Sequence, residues 1–479
     1  MRNLAVMTSG RLATQAVLVV SAFLIPRVLG AEDYGLFAAI MAVVSIVQTG
    51  SAFGLPTVEV RFLAPLWQRA DRAPAETLAA TLWTARVALA VVGSAVLMVW
   101  ILLSPQLGVG ASLCGMLGVF ALLRFALEAT KSLLLPLGRV GGLAALDFAR
   151  AALTLPAVIF LFPGFGMLGA FTGMTVLQGG LLVSAFRLLR RVAPVSPARF
   201  DWSMLRPHAP FAAATFVGAL SSMFQVQFSV FAVASWVTRE EAGYLGISVQ
   251  LYSLLQVLFI SARRSLMPIL SELQAAGQDE RLAYWGSVMM RYSAASLSLV
   301  VVIWALLGEA IVGFVLTDAF APVYSCATLI LVATAFFCCG ASCNGLLFVR
   351  ELPRVGSTNS FLYALTTVVG LLWVVEGPND GAAFRISAVY AAAGAFFFAF
   401  AYTSLGWRGG LWLPLGRTLA LLLPMLAAWP AATWSGGGAE RVAVAVAFPV
   451  AYAALAVGLG LLPRDELREI VRTARRASS

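Results

Sequence analysis

Apolar runs of roughly 18 to 28 residues recur from one end of this 479-residue chain to the other, separated only by short polar stretches. Each run is long enough for a helix to cross a hydrocarbon core of about 30 Å. In lipid the backbone must satisfy its own hydrogen bonds, and a helix does so within one segment. The sequence therefore predicts an all-α polytopic membrane protein of about 14 transmembrane helices. The spans read 8–29, 35–66, 79–103, 111–135, 142–162, 166–188, 210–236, 243–270, 284–307, 322–349, 355–376, 382–407, 411–430 and 441–462. Apolar residues make up 61% of the chain and charged residues 11%. A soluble domain has about half and about a quarter. No polar stretch is long enough to fold by itself, so any chemistry lies within the membrane or in short loops.

The distribution of basic residues tests this map, because Lys and Arg concentrate on the cytoplasmic side of a membrane. With a cytoplasmic N-terminus, the outward connections hold only Arg27, Arg239, Arg385 and Arg441 of 32 basic residues. Arg69, Arg72, Arg139, Arg187, Arg190, Arg191, Arg199, Arg350, Arg354 and Arg408 fall on or near the inner side. An even helix count places both termini in the cytoplasm. The apolar run after Arg2 is interrupted by Arg11 and continues to Leu29 with no cleavage site, so it reads as a retained helix and not a signal peptide.

An internal repeat appears at an offset near 208 residues. Glu32-Asp33-Tyr34-Gly35 matches Glu240-Glu241-Ala242-Gly243, and Ser45-Ile46-Val47-Gln48 matches Ser253-Leu254-Leu255-Gln256. Arg86 and Trp100 answer Arg291 and Trp304, and Leu137-Gly138-Arg139-Val140 answers Leu352-Pro353-Arg354-Val355. The copies lie six helices apart, an even number, so they are parallel repeats. The expected organisation is a six-helix lobe over 1–190, a basic cytoplasmic linker over 191–209 and a second, pseudo-symmetric six-helix lobe over 210–410. An extra helix pair over 411–462 and a charged cytoplasmic tail over 463–479 follow.

Several function classes drop out. A net charge of +10 invites a nucleic-acid reading, but it is spread over loops, and anionic lipid and topology account for it. Cys114, Cys326, Cys338, Cys339 and Cys343 all fall in apolar spans. Cys339 and Cys343 have i, i+4 spacing but no histidine or acid beside them, so they read as packing residues and no metal site is expected. The lone histidine, His208, reads as interfacial. There is no Gly-rich phosphate loop with lysine, and Lys131, the only lysine, sits at the end of the fourth helix. No enzymatic constellation and no cofactor are expected.

Charges inside the membrane carry more information, since each costs about 2.5 to 3.5 kcal/mol on insertion scales. Arg124, Glu128, Asp147 and Arg150 lie on a helical hairpin about Gly138, on the order of 13 to 21 Å from its turn at about 1.5 Å per residue. Arg124 and Glu128 share one face, as do Asp147 and Arg150. Two mutually satisfied pairs is one reading. The other is a carboxylate that titrates in coupling to a proton or sodium gradient. A second group, Arg11, Arg61, Arg86, Arg263, Arg264 and Arg291, lies nearer the cytoplasmic side. Snorkelling to headgroups and setting topology is one account of these arginines, although Arg86 and Arg291 sit about 10 to 15 Å in from their loops at helical rise.

The segment Arg27-Val28-Leu29-Gly30-Ala31-Glu32-Asp33-Tyr34-Gly35-Leu36-Phe37, with Gly54-Leu55-Pro56 ending the second helix and Arg61-Phe62-Leu63-Ala64 after it, resembles the polysaccharide-transport flippases of bacterial cell envelopes. These are relatives of the multidrug and lipid-linked peptidoglycan-precursor exporters. The resemblance in topology covers about the first 410 residues. It implies an inner-membrane flippase that carries a lipid-linked oligosaccharide, usually on undecaprenyl diphosphate, between leaflets by alternating access. Partners would be that substrate, membrane lipids and other polysaccharide-assembly proteins. It also implies that helices 1, 2, 7 and 8 line a cavity, which turns the second arginine group into a diphosphate site, with Arg86 and Arg291 as a symmetric cationic vestibule. The planar guanidinium fork suits paired phosphate oxygens. An exporter of small amphipathic drugs on the same fold is the nearest alternative, although cationic drugs favour an acidic cavity. A membrane-embedded glycan polymerase or ligase would want a large outer loop, and a non-transporting scaffold would have no use for intramembrane charge.

Overall fold

The computed structural model describes residues 2–67, 71–427 and 438–463. Helices of eight residues or more are numbered in chain order. They are α1 (Arg2–Leu29), α2 (Ala31–Ala52), α3 (Ala73–Leu102), α4 (Ala111–Ser132), α5 (Val140–Arg190), α6 (Ala209–Trp236) and α7 (Arg239–Ala275). Then come α8 (Asp279–Val315), α9 (Pro322–Val349), α10 (Pro353–Val375), α11 (Ala382–Gly409), α12 (Leu415–Leu422) and α13 (Gly438–Gly458). Among the described residues there is no strand, and nine helices are long and apolar enough to cross a membrane. The chain is an all-α, multi-pass membrane protein.

The 51-residue α5 is two spans, not one. Gly166 inside it has φ 57° and ψ −145°, a non-helical conformation open to glycine. The halves fold back on each other: a Cβ on Gly173 would lie 2.5 Å from the Ala157 carbonyl oxygen, and one on Gly169 would run into the Leu161 carbonyl. Small residues four apart let two helix backbones approach closely in lipid. The expected spans 142–162 and 166–188 are these two halves. The pair expected over 411–430 and 441–462 is represented by α12, a 3₁₀ segment to Ala427, and α13. The tail beyond residue 463 lies outside the described residues, as does Arg69.

The second expected span, 35–66, is not one helix. α2 stops at Ala52, where Phe53 (φ 47°) and Gly54 (φ 70°) both turn left-handed. Pro56 cannot donate a backbone hydrogen bond, which fits it to the first turn of a new helix and bars it from the middle of an old one. A short helix (Leu55–Val58) follows, then a π segment (Glu59–Leu63) and a last turn (Ala64–Trp67). Such π insertions frequently mark functional sites.

The chain divides into two compact units, Met1–Gly243 and Tyr244–Ser479. In the first, α2 packs on α3 and α6, α4 on α3 and α5, and α1 on α5. A buried core including Val58, Leu63, Leu78, Leu82, Leu134 and Leu189 ties the π segment to α3, α4 and α5. In the second, α9 packs on α8 and α11, and α10 on α11, while α12 and α13 cover α8. Cys339 Sγ lies 3.8 Å from the Met290 carbonyl, a packing contact between α9 and α8.

Candidate functional site

The break in α2 delivers a carboxylate into the membrane. Glu59, the first residue of the π segment, is fully buried, and Arg86 of α3 donates to its Oε1 at 2.8 Å. The same guanidinium nitrogen also reaches the hydroxyl of Ser132, at the end of α4. Arg86 is thus a paired cation. In the sequence its partner is signalled only by an acid between Val58 and Val60, on another helix, which the same charge rule that singles out Glu128 and Asp147 picks up.

A few residues away the intramembrane hairpin pairs differently from expectation. Lys131, expected at a helix end, is buried, and it donates to Glu128 at 2.9 Å and to Asp147 of α5 at 2.7 Å. Arg150 donates to the same Glu128 oxygen at 2.6 Å. Arg124 is not paired with Glu128. It donates to Gln48 Oε1 at 2.7 Å, lies over the Phe120 ring, and makes no ion pair among the described residues. The i, i+4 and i, i+3 pairs of the sequence reading give way to a cross-helix network, because Lys131 lies one turn past Glu128 and can bridge to the facing helix.

Two of these charged groups, Arg86 and Glu128, line a cavity of about 310 Å³ within the first unit, together with Gln48, Thr57, Ser132 and Thr215 among others. Counting its neighbours, the cations Arg86, Arg124, Lys131 and Arg150 face the carboxylates of Glu59, Glu128 and Asp147, a formal excess of one positive charge. Buried charge of this density is stable in lipid only when paired or facing a polar cavity. The cavity therefore offers a polar chamber lined by one cation and one carboxylate, with the wider charge cluster behind them.

Of the remaining arginines of the expected site, the side chains of Arg61 and Arg291 are described. Arg61 is exposed and lies over the rings of Phe62 and Phe211, 5.6 and 4.7 Å from their centroids, as a snorkelling residue would. Arg291, in the second unit, is buried and donates to Ser287 Oγ at 3.2 Å and to the Leu461 carbonyl at 3.0 Å. Arg86, its equivalent in the repeat, has Glu59 and Ser132 as partners. The side chains of Arg11, Arg263 and Arg264 lie outside the described residues. The second unit has its own cavity, about 300 Å³ and lined by Phe259, Trp285, Met289, Tyr292, Phe337 and Cys338 among others. It is largely apolar where the first is polar.

No protein-family model and no curated protein matches the sequence. Solved structures do. A lipid II flippase, MurJ, in an inward closed conformation superposes with a TM-score of 0.67 at 10% identity, covering 94% of this chain and 98% of the other. An inward-facing multidrug resistance MATE family transporter of the MOP superfamily gives 0.61 at 11% identity, over 82% and 94%. The MATE multidrug transporter DinF-BH gives 0.60 at 16% identity, over 84% and 94%. The chain has the fold that this lipid flippase and these multidrug transporters share.

Proposed function

We propose that the protein is a flippase that moves a lipid-linked oligosaccharide from the inner to the outer leaflet by alternating access. The observation that carries this reading is the polar chamber of the first unit, lined by Arg86 and Glu128 and backed by a cluster of four cations and three carboxylates. An anionic phosphoryl headgroup gains from the excess cation of that cluster. The flippase among the structural neighbours supports the substrate class. On this reading Arg86 and Arg124 meet the headgroup, and Arg11, Arg61, Arg263, Arg264 and Arg291 serve its approach or the topology. The protein sits in the bacterial inner membrane with both termini cytoplasmic, and Glu128 or Asp147 couples the cycle to a proton or sodium gradient.

A second reading has an observation of its own. The largely apolar, aromatic-lined cavity of the second unit is of the kind that takes a small amphipathic molecule, and two of the structural neighbours are multidrug transporters. Proteoliposomes separate the two. A flippase exposes a fluorescent undecaprenyl-diphosphate oligosaccharide to an outer-leaflet quencher and leaves a cationic dye untouched. Dye transport without movement of the lipid would make the exporter reading the correct one.

A further inference from the structure

A second cavity lies against the polar chamber, and three elements supply the wall between them. It is a slot of about 500 Å³ with apolar walls, formed by the break in α2, by α3, by the start of α6 and by the linker before it. Along the break the residues alternate. Gly54 and Thr57 face the chamber, while Phe53 and Leu55 face the slot. On α3, Arg86 belongs to the chamber and Ala85, Ala88 and Leu89 to the slot; on α6, Thr215 belongs to the chamber and Ala212 to the slot.

The wall is thin. At Gly54 the backbone meets α6 so closely that a Cβ would stand 2.7 Å from Thr215 Oγ1 and overlap the Ala212 carbonyl. Across this seam the hydroxyls of Thr57 and Thr215 share one hydrogen bond of 2.9 Å, and the Phe53 ring lies 4.7 Å from that of Phe216. Phe53 is one of two non-glycine residues with positive φ among the described residues, a conformation that stores strain in a bulky residue. Backbone hydrogen bonds run from Phe53 N–H to the Gly50 carbonyl and from Thr57 N–H to the Gly54 carbonyl, each at 3.2 Å, so the break lies between two separately bonded helical turns. The far rim of the slot is formed by Phe200 and Trp202, exposed at 42% and 58%, so the slot is open to an apolar chain from outside.

From this juxtaposition we infer that chamber and slot are two compartments of one site for an amphiphile. The anionic head lies in the chamber, the first part of its apolar chain lies in the slot, and the Gly54 and Thr57–Thr215 seam is the gate the chain crosses. The inference rests on the headgroup reading above. It adds that the chain is held by the protein instead of trailing in the bilayer, since a diphosphate in the chamber places its first carbons beside a space whose lining is apolar apart from the buried Thr84 hydroxyl.

The test uses the full chain in phosphatidylcholine nanodiscs and farnesyl diphosphate with a diazirine on its terminal isoprene unit. After irradiation, mass spectrometry should find adducts on Leu89, Phe200 and Trp202, suppressed by excess inorganic pyrophosphate. In a Thr57→Cys/Thr215→Cys variant, oxidation should lower slot labelling by about tenfold or more, given that each buried methylene contributes a severalfold factor. Reduction should restore it, which separates gate closure from misfolding. Adducts confined to exposed residues such as Phe160 and Val176 would overturn the inference; pyrophosphate binding measured by calorimetry would then leave the headgroup reading standing. Slot adducts indifferent to pyrophosphate would mean that the slot takes chains on its own, and would also overturn it. Absence of pyrophosphate binding would bring down the headgroup reading and this inference together.

Discussion

Gly35 and Gly243, equivalent positions in the two copies of the repeat, stand backbone against backbone. A Cβ on Gly35 would lie 3.1 Å from the amide nitrogen of Gly243 and overlap the Arg239 carbonyl, and one on Gly243 would lie 3.4 Å from the nitrogen of Gly35 and 2.5 Å from the Ala31 carbonyl oxygen. The acidic-x-x-glycine pattern is therefore a crossing point of two helix N-termini, and Arg239 bridges to Glu32 beside it at 3.6 Å.

The crossing sets the first prediction. The obstacles are backbone atoms, which cannot rotate away, so a methyl group at either position forces the helices apart. Overpacking of this kind costs about 1 to 3 kcal/mol. Gly35→Ala should lower the melting temperature and the monodisperse yield more than Gly243→Ala, because its clash is the deeper. Unchanged melting of both variants in scanning fluorimetry would show that the crossing is looser than described.

Much of the fold was legible because hydropathy is local. The hairpin in α5 is visible as two separate apolar runs, 142–162 and 166–188, and the depth of Arg86 follows from counting turns. What was not legible depends on tertiary detail. A continuous helix over 35–66 would run about 48 Å at about 1.5 Å per residue, well beyond the membrane core, and that excess length was the available sign of the break at Phe53 and Gly54. Read as continuous, it carries Glu59 toward the headgroups and hides it from Arg86, which lies on another helix. Lys131 does end α4, as the sequence predicts; that it faces its neighbour and not water is decided by the packing of α4 on α5. The chamber and the slot needed three elements in register, which no single stretch of sequence encodes.

Topology supplies the second prediction. In a cysteine-free background, single cysteines at Glu240 and Asp318 should react with an impermeant maleimide from outside the cell. On the inner side the probe belongs at Ala198, which is exposed, and not at Val195, which is buried. Ala198 should label only after permeabilisation, and labelling from outside would overturn the orientation and the helix count together.

The third prediction concerns acid. His208 stacks on Phe62 with 4.2 Å between centroids, and its partial burial lowers its pKa below the ordinary value. A histidine held neutral in the fold stabilises it above the unfolded value of about 6.5, and that contribution is lost as the pH falls from there toward the depressed folded value. Melting temperature should therefore decline on this limb, and His208→Phe, which keeps the stack without the titration, should flatten it. An identical decline in the variant would assign the acid sensitivity to other groups.

The Glu59–Arg86 pair carries the last prediction, because it separates a structural charge from one that meets a ligand. Glu59→Gln leaves a buried guanidinium without its counterion. Breaking such a pair costs about 3 to 5 kcal/mol in soluble proteins, whereas replacing both partners by apolar groups of similar volume is often neutral. Glu59→Gln and Arg86→Met should each depress the folded yield, and Glu59→Leu/Arg86→Met should recover most of it. Transport should not recover with it, since the double variant deletes the one buried arginine among the described residues that lines the polar chamber. Yield is read by fluorescence-detected size exclusion and transport by leaflet quenching, scored per folded molecule. If the double variant flips lipid-linked oligosaccharide at the wild-type rate, the pair is a structural staple and the headgroup must be bound without Arg86. If it folds fully and flips nothing, the guanidinium is needed for more than holding α3 against the broken helix.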